Sequence, residues 1–135
     1  MEREQQKKSL RPSHVWLYVK NIEESVRFYE KVLGLDVAGR FPHGVLFRSG
    51  GVLIGIHEEE GDRRRKPGGM LIVLQTDDVR KTFEELKNKG VRFLTDQVQT
   101  EQFGSVADFK DPDGYLLEIW QQPQKPGMIP IGFRA

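Results

Sequence analysis

The chain has 135 residues, with 21 Lys and Arg against 20 Asp and Glu, and no cysteine. Near-zero net charge argues against the basic surface that nucleic acid or anionic lipid requires, and the length suits one compact domain or two half-sized units sharing a core. Without cysteine there is no disulfide, thiolate cluster or thiol nucleophile, so any metal must be held by His, Asp or Glu. Residues 1–11 are charged and glutamine-rich and read as a disordered tail. With no signal peptide and no apolar run of about 20 residues, a cytoplasmic protein with no membrane partner is expected.

From Ser13 to Val19, aliphatic Val15, Leu17 and Val19 alternate with His14, Trp16 and Tyr18, the period of a strand with two unlike faces. Asn21 then caps an apolar stripe at helical spacing, Ile22, Val26, Tyr29, Val32 and Leu33, with Glu24 placed for a capping box and Gly34 as the stop. Three short strands follow at Leu35–Phe41, Gly44–Arg48 and Val52–His57, divided by glycine-rich turns. The charged stretch 58–69, with Arg63-Arg64-Arg65-Lys66 and Pro67-Gly68-Gly69, has no periodicity and reads as a solvated linker.

The same grammar then restarts. A strand over Met70–Gln75 leads through Asp78 into a helix anchored by Val79, Phe83 and Leu86 and stopped at Gly90. Strands are expected at Val91–Leu94, Ser105–Lys110 and Tyr115–Gln121, and Asp111-Pro-Asp-Gly114 has the residues of a tight structural turn. Gly51-Val-Leu-Ile-Gly-Ile-His57 lies over Gly114-Tyr-Leu-Leu-Glu-Ile-Trp120 position for position, so the chain is a tandem repeat. The expected division is a tail at 1–11, a βαβββ module at 12–57, a linker at 58–69, a second module at 70–122 and a tail at 123–135. The fold class is α+β, two tandem βαβββ modules curving around a cleft. One helix covers one sheet face, so the opposite face must meet a partner unit or a ligand. By strand parity that face carries His14, Trp16, Tyr18, Leu53, Gly55 and His57 from the first module. The second contributes Leu71, Val73, Gln75, Leu116, Glu118 and Trp120.

These features resemble the vicinal oxygen chelate superfamily of glyoxalases, bleomycin-resistance proteins and extradiol dioxygenases. The resemblance rests on His14-Val-Trp-Leu-Tyr-Val-Lys-Asn, Ser25-Val-Arg-Phe-Tyr-Glu-Lys-Val-Leu-Gly34 and Phe109-Lys-Asp-Pro-Asp-Gly-Tyr-Leu-Leu-Glu118, and covers about Pro12 to Gln122. It implies paired modules, a homodimer in which modules are often exchanged, and a divalent metal (Fe, Mn, Ni or Zn). The metal positions fall on His14, Gly55, Leu71 and Glu118, of which only the first and last can coordinate. His57, two places beyond Gly55 on the same strand face, would complete a set of two imidazoles and a carboxylate.

Two functions follow from the resemblance. The first is a metal-dependent lyase, isomerase or ring-cleaving dioxygenase acting on a small substrate with vicinal oxygens. Its metal would sit on His14, His57 and Glu118, with Glu118 catalytic and Trp16, Tyr18, Val73, Gln75 and Trp120 lining the substrate site. The second is a metal-free binding protein of bleomycin-resistance type, holding a flat compound among Trp16, Tyr18 and Trp120. A third, weaker reading gives the apolar stretch Met128–Phe133 to a partner chain.

Overall fold

A computed structural model describes residues 13–48 and 50–123. The expected tails, apart from Pro123, and the stretch Met128–Phe133 lie outside the described residues. The first module runs β1 (His14–Val19), α1 (Ile22–Arg27) continued by a π-helical turn (Phe28–Val32), β2 (Asp36–Phe41), β3 (Gly44–Arg48) and β4 (Leu53–Glu58). The second runs β5 (Leu71–Gln75), α2 (Val79–Asn88), β6 (Gln99–Glu101), β7 (Gly104–Lys110) and β8 (Leu116–Gln121). Each module builds one four-stranded sheet, ordered β1-β4-β3-β2 and β5-β8-β7-β6. In both, the first and last strands pair in parallel and the others antiparallel. The repeat read from the sequence is therefore a repeat of topology.

Local chemistry accounts for the elements. The side chains of Asn21 and Asp78 accept hydrogen bonds from the backbone N–H of Glu24 and Lys81, satisfying donors that a helix start leaves open. Gly34 and Gly90 follow the helices with φ of +77° and +96°, which L side chains rarely adopt.

Two expectations are corrected. The first helix is not uniform: Leu33 N–H reaches five residues back to Phe28 C=O at 2.9 Å, a π-type bond. Val91–Leu94 is not a strand, and the strand after α2 is instead Gln99–Glu101. Packing decides this, because Phe93 stacks on Phe83 at 4.4 Å and on Phe109 at 5.3 Å, wedging the segment between helix and sheet. An isolated bridge from Phe93 to Phe109 stands there in place of a ladder.

The helices and inner sheet faces form one core, including Leu17, Val19, Phe47 and Ile56 of the first module and Phe83, Phe109, Leu117 and Ile119 of the second. The turn after β7 locks the modules together. Asp111 accepts from Tyr29 OH at 2.8 Å, and Asp113 accepts from Ser25 Oγ at 2.9 Å and Lys20 N–H at 3.1 Å. Both carboxylates are buried, and Asp111 also accepts from the N–H groups of Asp113 and Tyr115, so its oxygens are fully engaged. Burial pushes the Asp111 carboxyl up despite those hydrogen bonds, and burial beside Asp111 pushes the Tyr29 phenol up as well. The inter-module stretch is fastened too: Arg65 donates to Asp113 C=O at 2.8 Å and Lys66 N–H to Tyr115 OH at 3.2 Å.

Candidate functional site

With the core on one side of each sheet, the other side presents the residues assigned to the cleft by strand parity. The registers pair them rung by rung: His14 with Leu53, Trp16 with Gly55 and Tyr18 with His57. In the second sheet Leu71 pairs with Leu116, Val73 with Glu118 and Gln75 with Trp120. Leu71 and Val73, on the edge strand β5, are 43% and 41% exposed and leave aliphatic surface open.

The first face is a run of aromatic rings. His14 and His57 stand edge-on to Trp16, with centroids 5.2 and 5.1 Å away and interplanar angles of 81° and 82°. Tyr18 adds a ring 5.4 Å from His57. Such edge-to-face geometry is the preferred one for aromatic pairs and holds each ring in place. Glycines make room for it. A Cβ on Gly55 would lie 2.6 Å from Trp16 Cζ3 and 2.9 Å from Leu46 Cδ2, and one on Gly44 would lie 3.1 Å from Trp16. Trp16 thus occupies the space above Gly55. His57 Nδ1 donates to Glu58 C=O at 2.7 Å, which fixes the ring's orientation.

The second face is aliphatic and acidic. Glu118 lies directly across the β7–β8 ladder from Asp108. Burial, then the hydrogen bond with Asp108 and its charge, push the Glu118 carboxyl up to about 7. Asp108 Oδ1 is buried with no hydrogen-bond partner. Asp108 was not picked out from the sequence, although it occupies an acid position between apolar Ala107 and Phe109 in a strand that alternates. Trp120 is 4% exposed, and its indole N–H donates to Phe103 C=O at 2.9 Å. It braces the β6–β7 turn, while Gln75 and Val73 lie open on the face.

His14 and His57 lie in the first sheet and Glu118 in the second. Among the described residues no group of three His, Cys, Asp or Glu side chains is arranged to hold a metal ion. Of the four positions that the resemblance assigns, Leu71 has no donor atom, and the space above Gly55 is filled by an indole. These residues do not fit a three- or four-ligand metal centre.

Paired βαβββ modules, each a four-stranded sheet with a helix on one face, define the class of α+β fold. The chain belongs to the Glyoxalase/Bleomycin resistance protein/Dioxygenase superfamily, whose profile matches residues 11–119. It is 29% identical to YraH of Bacillus subtilis, covering 78% of this chain and 93% of that protein. It is also 28% identical to the mitochondrial methylmalonyl-CoA epimerase of Homo sapiens, covering 82% and 73%. The fold matches that of TnmS3, an antibiotic binding protein from Streptomyces, with a TM-score of 0.70 at 21% identity over 84% of this chain and 97% of that one. Among the described residues no helix is long and apolar enough to cross a membrane.

Proposed function

We propose that this protein binds a flat aromatic small molecule without a metal, its ring laid against the His14–Trp16–Tyr18–His57 face. The observation that carries this reading is Trp16 lying over Gly55, where the resemblance implies a carboxylate in glyoxalase I-like members. An indole at that point replaces a charged ligand by a stacking surface, and an apolar pocket with a few polar groups is how small molecules are usually held. A superfamily fold shared with an antibiotic binding protein agrees with it.

The open aliphatic positions Leu71 and Val73 support a cleft completed by a second copy, the acidic face of one chain set opposite the aromatic face of another. A homodimer of twice the 15.6 kDa chain is the expected species in sedimentation equilibrium. A second reading draws on the Asp108–Glu118 pair. A carboxyl poised near 7 suits proton transfer next to a carbonyl, with Glu118 as the acid–base group.

Titration with alizarin, a planar compound with vicinal oxygens, tests the main reading. Quenching of tryptophan fluorescence should saturate and survive EDTA, and the affinity read by isothermal titration should fall about tenfold in Trp16→Ala, given the roughly 1.4 kcal/mol that a lost aromatic stack costs. Stoichiometric Fe, Mn, Ni or Zn in the purified protein, with binding abolished by chelator, would replace this reading by the metal-dependent one. Exchange of the α-proton of a carbonyl substrate that is lost in Glu118→Gln would favour the acid–base reading.

A further inference from the structure

A cavity lies on the side of the first sheet opposite the aromatic face. It has a volume of about 760 Å³ and lies between α1 and the β2–β3 hairpin, with Ile22, Val26, Val45, Phe41 and Pro42 as its apolar lining. That volume falls within the range of small-molecule sites. Phe41 is 52% exposed, a large apolar ring left open to solvent.

The duplicated module shows what this wedge looks like when closed. Beside α2 the corresponding cavity is about 220 Å³, because residues 89–98 return across the helix and seat Phe93 and Val98 there. In the first module only residues 33–35 join helix to strand, so nothing from that connection can fill the wedge. Consequently Val79 and Phe83 are buried, while the matching helix anchors Ile22 and Val26 are only half-buried.

The rim is charged and its charges are unequally engaged. Arg40 is held by Glu30 at 3.3 Å. Arg27 and Lys31, one helical turn apart, have no ion-pair partner among the described residues, and Glu23 is the remaining carboxylate of the lining. An apolar floor under two unengaged cations is complementary to a molecule with an apolar chain and an anionic head.

We infer that this wedge is a binding site for a soluble amphiphilic anion of the acyl-carboxylate class, its chain against Ile22, Val26, Val45 and Phe41 and its head between Arg27 and Lys31. The site is independent of the aromatic face and of the ligand proposed there.

Isothermal titration of the full chain with decanoate tests it. One saturable site per chain is expected, with decyltrimethylammonium bound at least tenfold more weakly. The double substitution Arg27→Glu/Lys31→Glu on the surface should weaken decanoate at least tenfold. Val26→Trp, which fills the wedge, should abolish decanoate binding while alizarin binding persists. The inference is overturned by absence of saturable binding, by equal binding of the cationic analogue, or by decanoate affinity indifferent to the double substitution. Sedimentation with phosphatidylglycerol vesicles without binding of free decanoate would assign the surface to membranes instead. A lowered oligomeric mass in Val26→Trp would make the wedge a contact between copies and also overturn the inference.

Discussion

Helix α2 buries Val79, Phe83 and Leu86 to 1%, 4% and 7% exposure, whereas of the matching anchors in the first helix Ile22 and Val26 stay half-buried and Tyr29, in its π-helical turn, is enclosed. The faces have also diverged, one into a run of rings and the other into aliphatic residues around paired carboxylates. Duplication thus preserved what the backbone needs, which is the strand order, the capped helix and the glycine stop. What varied is the chemistry facing each opening and the length of chain available to close it. The first module gives Tyr29 to the second through Asp111, so the two copies depend on each other for stability.

That dependence is where the largest effect is expected. Asp111→Ala leaves Tyr29 OH and the N–H groups of Asp113 and Tyr115 without their acceptor in a buried turn, and should cost about 3 kcal/mol, or roughly 10 °C in Tm. Tyr29→Phe removes one hydrogen bond and should cost about 1 kcal/mol. Urea unfolding of both variants checks the order. Equal costs would mean that the bridge to Tyr29, and not the turn, is what Asp111 holds.

Next comes the wedge beside α2. Phe93→Ala should cost about 2–3 kcal/mol, at the lower edge for a large-to-small change because Phe93 is half-buried. It should also leave the second module with an opening like that of the first. If that loss is below about 1 kcal/mol, the closure of the second wedge is not a source of stability, and the contrast between modules is one of shape alone.

Most of this plan was legible in the sequence, for physical reasons that also explain the gaps. Strand parity put His14, Trp16, Tyr18 and His57 on one face because side-chain direction alternates with period two whatever surrounds the strand. The helix starts were legible because a cap is a local event of four residues. The displaced strand was not: Val91-Arg-Phe-Leu94 has strand composition, but Phe93 gains more from stacking on Phe83 than from a ladder, a tertiary effect that local pattern cannot weigh. Trp120 read as a ligand-facing ring because nothing local reveals that Phe103 C=O covers its indole N–H. Asp108 was passed over because its meaning comes from the residue opposite, Glu118, which only the register supplies.

The smallest effect sharpens the contrast between the two faces through pH. Glu118 is held near 7 against an ordinary value of 4.5, so the folded state binds this proton more tightly than the unfolded chain does. The sign follows from linkage: stability associated with Glu118 is fully present below about 4.5 and is lost as pH rises toward 7, the reverse of a carboxylate stabilised by a cation. The face is partly open to solvent, so the loss should be of order 1 kcal/mol and not the full value of such a shift. Asp111 is also raised and contributes in the same direction, but it is unchanged when Asp108 is substituted. Asp108→Asn removes the neighbouring charge and leaves burial, so urea midpoints between pH 4.5 and 8 should decline less steeply in that variant than in the parent chain. Identical slopes would show that burial alone raises Glu118, and that the two carboxylates of the second face do not act as a pair.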